Sequence, residues 1–330
     1  MAQSILVDNF GRLHNYLRVS VTDRCNLRCV YCMGAQGIPL LNRNQILRYE
    51  EILEVIRVGA KLGINRIRLT GGEPLVRRNL LWLIRQIRDI SEITDISLTT
   101  NGIFLEENAV KLREAGLNRV NVSLDSLNRA VFSQITRGGD LNRVLSGIQA
   151  ALKAGLKPVK INMVLLKGIN ENEAADLLNF AFNQPLQVRF IEFMPIGPAA
   201  GRQPDYYLPA EFVLKKALSI GMNLQPAESA EKNGPADIYD ITGGLGTVGL
   251  IHPVSRHFCE GCNRLRLTAD GSLKPCLFRQ EELPVRPALG DPEKIKTIFL
   301  QAVSLKHRQK KEAINKLQAF NMRGMSRTGG

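Results

Sequence analysis

The sequence of 330 residues contains no apolar run approaching the ~18 residues that a membrane-spanning helix requires, and a single tryptophan. Residues 1–18, MAQSILVDNFGRLHNYLR, lack the apolar core of a secretory signal and include Asp8, so the reading is a reducing, cytoplasmic setting in which disulfides are not expected. Acidic residues are in deficit, 31 against 44 Lys and Arg, which leaves a formal charge of +13. That surplus suits a nucleic acid, an anionic membrane surface or a polyphosphate, or simply a solvated basic surface. No zinc-finger or RNA-binding pattern with interleaved aromatics is present, so neither nucleic acid nor membrane is expected as a partner. There is no internal repeat and no low-complexity tract. With 44% hydrophobic and 23% charged residues the composition is that of a globular protein.

Strand-like and helical patterns alternate from Tyr16 to about Ile220. The strands are expected at 16–21, 66–70, 95–100, 119–124, 159–166 and 188–193. Several read as near-continuous apolar runs, as for strands buried on both faces. Helices are expected at 49–62, 80–90, 106–115, 141–154, 172–182 and 209–220, several ending at a glycine such as Gly63, Gly116, Gly155 or Gly221. Successive βα units of this kind make a parallel sheet, either a curved partial barrel or an open doubly wound sheet. Pro226–Gly249 reads as an irregular boundary. Short β-like runs follow (GLIHPV, RLRLTADG, SLKPCLF), then a long basic helix near 293–320 and a flexible tail, NMRGMSRTGG.

All six cysteines fall into two groups of three: Cys25, Cys29 and Cys32, spaced C-x3-C-x2-C, and Cys259, Cys262 and Cys276. Clustering in a reducing compartment points to metal. Structural zinc takes four protein ligands, and a cubane iron–sulfur cluster takes four thiolates, one per iron. Three thiolates leave one iron open to a small molecule. The first group follows the first strand, at the carboxyl ends where α/β proteins place their chemistry. For the second group a Cys3His zinc site remains open, because His252 and His257 lie just upstream.

The C-x3-C-x2-C run with Tyr31 inside it, together with Gly71-Gly72-Glu73-Pro74, resembles the radical S-adenosylmethionine (SAM) superfamily. The segments GRLHNYLRVSVTDRCNLRCVYC, RLTGGEPLVRR, LTTNG, VSLDSL and HPVSRHFCEGCNRLRLTADGSLKPCLF, with the terminal Gly329-Gly330, resemble the GTP 3′,8-cyclases of molybdenum cofactor biosynthesis, from Val7 to the C-terminus. The resemblance implies a partial (β/α)6 TIM-like barrel over residues 1–225 and a C-terminal extension, 226–330, with a second cluster. It implies one 4Fe–4S cluster on Cys25, Cys29 and Cys32 that binds SAM, and another on Cys259, Cys262 and Cys276 that binds the guanine base. Tyr31, Gly72, Ser123 and Met194 would contact SAM. Arg18, Arg68, Thr99, Lys160, Arg264, Leu265 and Arg266 would bind GTP, with Leu265 acting through its backbone. Gly329 and Gly330 would enter the active site. The implied activity is radical cyclisation of GTP, served by an electron donor such as a flavodoxin or ferredoxin, by a homodimer that hands its product to cyclic pyranopterin monophosphate synthase. Gly34 stands where the family has proline after the Cys-Met pair.

Two other readings account for the same cysteines. One is a radical SAM enzyme that modifies a peptide and uses the second group for an auxiliary cluster. The other is a non-enzymatic iron–sulfur or zinc scaffold that binds RNA through its basic surface.

Overall fold

The computed structural model describes residues 6–196, 203–228, 234–308 and 324–328. Six strands, β1 (Tyr16–Ser20), β2 (Arg66–Thr70), β3 (Asp95–Thr100), β4 (Arg119–Ser123), β5 (Val159–Leu165) and β6 (Gln187–Glu192), lie side by side in chain order, all parallel. A doubly wound sheet reverses its winding at a switch point. This one never does, so that alternative is excluded. Helices α1 (Tyr49–Lys61), α2 (Leu80–Arg88), α3 (Leu105–Ala115), α4 (Arg129–Thr136), α5 (Leu141–Lys153) and α6 (Ala174–Asn183) connect the strands. Two further helices, α7 (Gln203–Tyr206) and α8 (Phe212–Ser219), follow β6.

The C-terminal third extends the sheet at both edges. After β7 (Leu224–Pro226), β8 (Ala236–Ile241) runs antiparallel to both β7 and β9 (Thr247–Ile251), and β9 lies parallel to β6. At the other edge β10 (Arg264–Leu267) lies parallel to β1 and carries β11 (Ser272–Lys274) and β12 (Leu283–Pro284). Strands β10 and β9 are seven intervals apart in the order, which in a flat sheet would be roughly 34 Å. Yet Arg264 and Arg266 of β10 and Ile251 of β9 line one cavity, so the sheet is curled around it. The sheet ends on β12 and β7 and does not close, which makes it a partial barrel. One hydrophobic core runs through it and includes Leu265, Leu267 and Phe299 from the C-terminal third.

The strands are not apolar on both faces. In β5 the sequence VKINMVL alternates: Val159, Ile161, Met163 and Leu165 are buried, while Lys160, Asn162 and Val164 between them are half-buried. The period-2 geometry turns one set toward the helices and the other toward the barrel interior. The same alternation turns Arg18 and Arg68 inward and leaves Leu17, Val19, Ile67 and Leu69 in the outer core.

Three C-terminal expectations change. The stretch read as irregular contains the β8–β9 hairpin, turned at Gly243 with φ +76°. The long basic helix is α9 (Pro292–Ser304), which ends before Lys306; residues 309–323 lie outside the described residues. In the tail, Met325–Thr328 forms one helical turn with Thr328 buried, held because Met325 packs between Phe193 and Phe278. Helix α4, eight residues long, is additional to the helices expected from the sequence.

Helix α9 docks on α1 through Phe299, fully buried against Gly59, where an added Cβ would lie 3.0 Å from the Phe299 ring. Phe299→Ala should therefore cost about 3–5 kcal/mol, read as a lowered denaturant midpoint. An unchanged midpoint would show that α9 contributes nothing to the core.

Candidate active site

Strand register puts cations beside one another. Arg18 is level with Arg266 on one side and Arg68 on the other, and Asn162 is level with Ser123 and Arg189. Arg68, Arg189 and Arg266 are buried, and Arg18 is half-buried with its Nε wholly enclosed. Burial, reinforced by Arg266 and Arg68, pushes the Arg18 guanidinium well below its ordinary range. Burial and the neighbouring arginines bring Lys160 down to about 6, and burial with the nearby Arg68 brings Arg189 to about 9.

Local partners are few. Arg68 donates to Ser97 Oγ at 3.3 Å and lies over the Tyr16 ring, while Arg119 pairs with Asp95. The Nε of Arg18, the hydroxyl of Thr99, both amide atoms of Asn121 and the Oδ1 of Asn162 are buried without a hydrogen-bond partner. Buried polar groups of this kind are costly unless something satisfies them. A cluster of enclosed cations with spare donors is complementary to a polyanion.

The first cysteine loop leaves the end of β1 and is held by backbone. Arg28 N donates to the Thr136 carbonyl and Val30 N to that of Ile135, so the unforeseen helix α4 supports the loop. Gly72 N donates to the Thr22 carbonyl at 2.7 Å and Glu73 N to that of Arg24 at 2.8 Å. A Cβ on Gly72 would sit 2.2 Å from the Arg24 carbonyl oxygen, so only glycine admits this approach. The buried Glu73 carboxylate accepts from Thr100 Oγ1 at 2.8 Å and Asn101 N at 2.7 Å, which ties GGEP to LTTNG. Asn101 Nδ2 in turn reaches Cys25 Sγ at 3.8 Å. Tyr31 donates to Asp125 at 2.8 Å, fixing the loop to the end of β4. Burial pushes the Cys29 thiol well up.

The second cysteine loop is buttressed by the two ends of the chain. Arg12, ion-paired with Asp8 at 2.6 Å, donates to the Cys259 carbonyl and, at 2.7 Å, to that of His307. Lys306 Nζ lies 3.9 Å from Cys262 Sγ. Burial opposes ionisation of Cys262, but Lys306 and Arg264 outweigh it and bring the thiol down to about 6.

A single zinc with ~2.3 Å bonds needs thiolates roughly 3.8 Å apart. Among the described residues the one set of three potential ligand atoms within 4.8 Å is Glu192, Glu211 and His252, and neither cysteine triad is drawn together that tightly. His252 faces that carboxylate cluster and Asp237, away from the cysteines. The wider triads suit a multi-iron cluster, with one thiolate per iron.

One cavity of about 560 Å³ is lined by all six cysteines, by Tyr31, Gly72, Ser123 and Met194, and by Arg18, Arg68, Thr99, Lys160, Arg264 and Arg266. Leu265 is the exception: fully buried in the outer core and level with Leu17, it does not line the cavity. Its backbone belongs to the β1–β10 pairing. Gly329 and Gly330 lie outside the described residues. The cavity also takes in Arg12, Arg119, Asn121, Asn162, Arg189 and Lys306. Strand alternation from Lys160 would have found Asn162, and alternation within QVRFIE would have found Arg189. Arg12 and Lys306 leave no such signal, because they arrive from the chain ends.

Because the Gly72 contact is to backbone, Gly72→Ala should displace the first cysteine loop, read as a loss of iron from the reconstituted chain with circular dichroism unchanged. Full iron retention would contradict the role given to this glycine.

Residues 19–181 match the model of the radical SAM superfamily, and residues 186–312 match that of Molybdenum Cofactor Synthesis C. The chain is 47% identical to a GTP 3′,8-cyclase of Listeria monocytogenes, covering 92% of this chain and 91% of that one. It is 52% identical to a GTP 3′,8-cyclase of Moorella thermoacetica, covering 91% and 93%. In fold it is similar to SuiB of Streptococcus suis bound to S-adenosylmethionine, with a TM-score of 0.60 at 13% identity, over 83% of this chain and 63% of that longer one. Identity and coverage of this order, on a partial barrel carrying two cysteine triads, place the chain in the GTP 3′,8-cyclase family of the radical SAM superfamily.

Proposed function

We propose that this chain converts GTP to (8S)-3′,8-cyclo-7,8-dihydroguanosine 5′-triphosphate, the first step of molybdenum cofactor biosynthesis. The observation that carries the reading is that two cysteine triads and a cluster of enclosed cations open into the same cavity. Cys25, Cys29 and Cys32 would hold one 4Fe–4S cluster and Cys259, Cys262 and Cys276 a second, three thiolates to each. With SAM bound, the first centre supplies the one-electron chemistry that opens a ribose C–H bond.

The chain's own residues bind, orient and exclude water. Arg18, Arg68, Arg264 and Arg266 take the triphosphate, with Lys160 and Thr99 beside them; charge-assisted hydrogen bonds of this kind are the strong ones. The orphaned amides of Asn121 and Asn162 gain partners when the nucleotide enters. Tyr31, Gly72, Ser123 and Met194 surround SAM. The terminal Gly329 and Gly330 are assigned a part in the reaction. Residues 1–225 generate the radical and residues 226–330 present the base. The protein works in the cytoplasm as a homodimer, draws electrons from a flavodoxin or ferredoxin, and passes its product to cyclic pyranopterin monophosphate synthase. A peptide substrate fits less well, since it would leave the enclosed cations without anions.

Reduced, reconstituted protein incubated with SAM should form 5′-deoxyadenosine in a GTP-dependent manner, together with the cyclised nucleotide. Formation no higher with GTP than without it would refute the assignment.

Arg266→Ala removes a charge-assisted contact of about 1.5–3 kcal/mol, so the GTP dissociation constant should rise roughly 10- to 150-fold. Unaltered GTP affinity would remove Arg266 from the site.

Lys160 titrates near pH 6 in the empty site. A bound triphosphate raises that value, so binding takes up a proton and affinity weakens as pH rises above about 6. Lys160→Met should flatten this slope in calorimetric titrations, leaving only the nucleotide's own ionisation. A slope identical to that of the unaltered protein would contradict it.

A further inference from the structure

Lys306 is a buried ammonium that the activity described so far does not use. It lies just beyond α9, is 8% exposed, and has its Nζ 3.9 Å from Cys262 Sγ while donating to the Arg264 carbonyl. Among the described residues no carboxylate comes within ion-pairing distance of it. Of the other cations near Cys262, Arg264 lines the GTP-binding face of the cavity and Arg12 is ion-paired with Asp8. The Asp8 carboxylate is itself saturated by Phe10 N, Arg12 N and His14 Nε2 at 2.9–3.0 Å.

The first triad has the opposite surroundings. The nearest cation, Arg28, spends its guanidinium on the Cys25 and Leu27 carbonyls. The enclosed ionisable groups there are carboxyls: Asp125, bonded to Tyr31, and Glu73, bonded to Asn101.

Burying an unpaired ammonium is expensive unless a negative charge arrives beside it. A cluster held by three thiolates is an anion, and reduction makes it more negative. In a low-dielectric enclosure a fixed positive charge next to one ligand sulfur favours the reduced form.

We propose that Lys306 sets the redox level of the second centre, holding its potential up through the charge placed against Cys262. This rests on the second 4Fe–4S cluster of the proposed function. Reduction adds one electron to the cluster; Lys306 forms no bond in the step. It is a positioning residue for charge, distinct from the groups that hold GTP.

The test is an EPR-monitored potentiometric titration of the full chain with both clusters reconstituted, using dithionite as the electron source. The unaltered protein should show two one-electron waves. Lys306→Met should move one of them down so that the reduced-to-oxidised ratio at the original midpoint falls about tenfold, equivalent to about 59 mV for one electron. The other wave should stay in place, and the iron content should be unchanged. Lys306→Arg, which keeps the charge, should titrate like the unaltered protein. Lys306→Gln, which keeps a donor for the Arg264 carbonyl, should behave like Lys306→Met and serves if the methionine variant loses iron.

Neither wave moving, both moving together, or Lys306→Arg moving as far as Lys306→Met would overturn the proposal. About four irons per unaltered chain would refute the second cluster itself; about eight with an unmoved wave would refute only the role of Lys306.

Discussion

The structure depends on one unfavourable contact, the alignment of Arg18 between Arg68 and Arg266 on three adjacent parallel strands. Parallel pairing leaves these side chains no freedom to avoid each other, because register fixes their height and the pleat fixes their side. The opposing force is on the other face of the same strands. Leu17, Val19, Ile67, Leu69, Leu265 and Leu267 are buried in the outer core and anchor the register that the arginines resist. Burial of an aliphatic side chain is worth about 1.5–3 kcal/mol, and the strands carry many. The repulsion is thus stored in the folded barrel, and an anion entering the cavity would release it. This is a form of preorganisation, in which the cost of gathering the charges is met by folding and not by binding.

The rest of the architecture brings the two cysteine triads to that charge. The first cysteine loop is shaped by neighbouring strand ends: GGEP approaches its backbone, Glu73 links it to LTTNG, and Asp125 holds Tyr31. The second loop lies next to β10, the strand that carries Arg264 and Arg266, and is braced by Arg12 from the N-terminal end and Lys306 from beyond α9. Curling the sheet lets strands at its two edges face the same space. Carboxyls surround the first triad and cations the second, so the two centres differ in their electrostatic environment although each has three cysteines.

Much of this was legible in the sequence. The six parallel strands and five of the six helices between them follow from apolar runs and glycine stops, to within one or two residues. The cysteine spacing singles out both triads, and Arg264 and Arg266, two apart on a strand, share a face as expected. What was missed has physical causes. Short strands such as YLRVS carry too few residues to show their alternation plainly, so a polar interior reads as an apolar strand. The β8–β9 hairpin is hidden because glycine and proline around it signal loop, while its pairing with β6 is long-range. Helix α4 is only eight residues long, too short to stand out as a periodic pattern, and it backs the first cysteine loop through the Thr136 and Ile135 carbonyls. Lys306 reads as part of a basic helix, and only the helix end at Ser304 brings it back to Cys262. Leu265 shows the reverse: the resemblance singles it out, yet strand geometry puts its side chain in the core.

The central claim is that both triads leave an iron open toward one cation-lined cavity, where SAM and GTP meet. Mössbauer spectroscopy of anaerobic protein reconstituted with iron-57, recorded alone, with SAM and with GTP, tests it most directly. Two cubane clusters are predicted, with one iron site of the first altered by SAM alone and one iron site of the second altered by GTP alone. A single cluster, or spectra that neither ligand changes, would contradict the account.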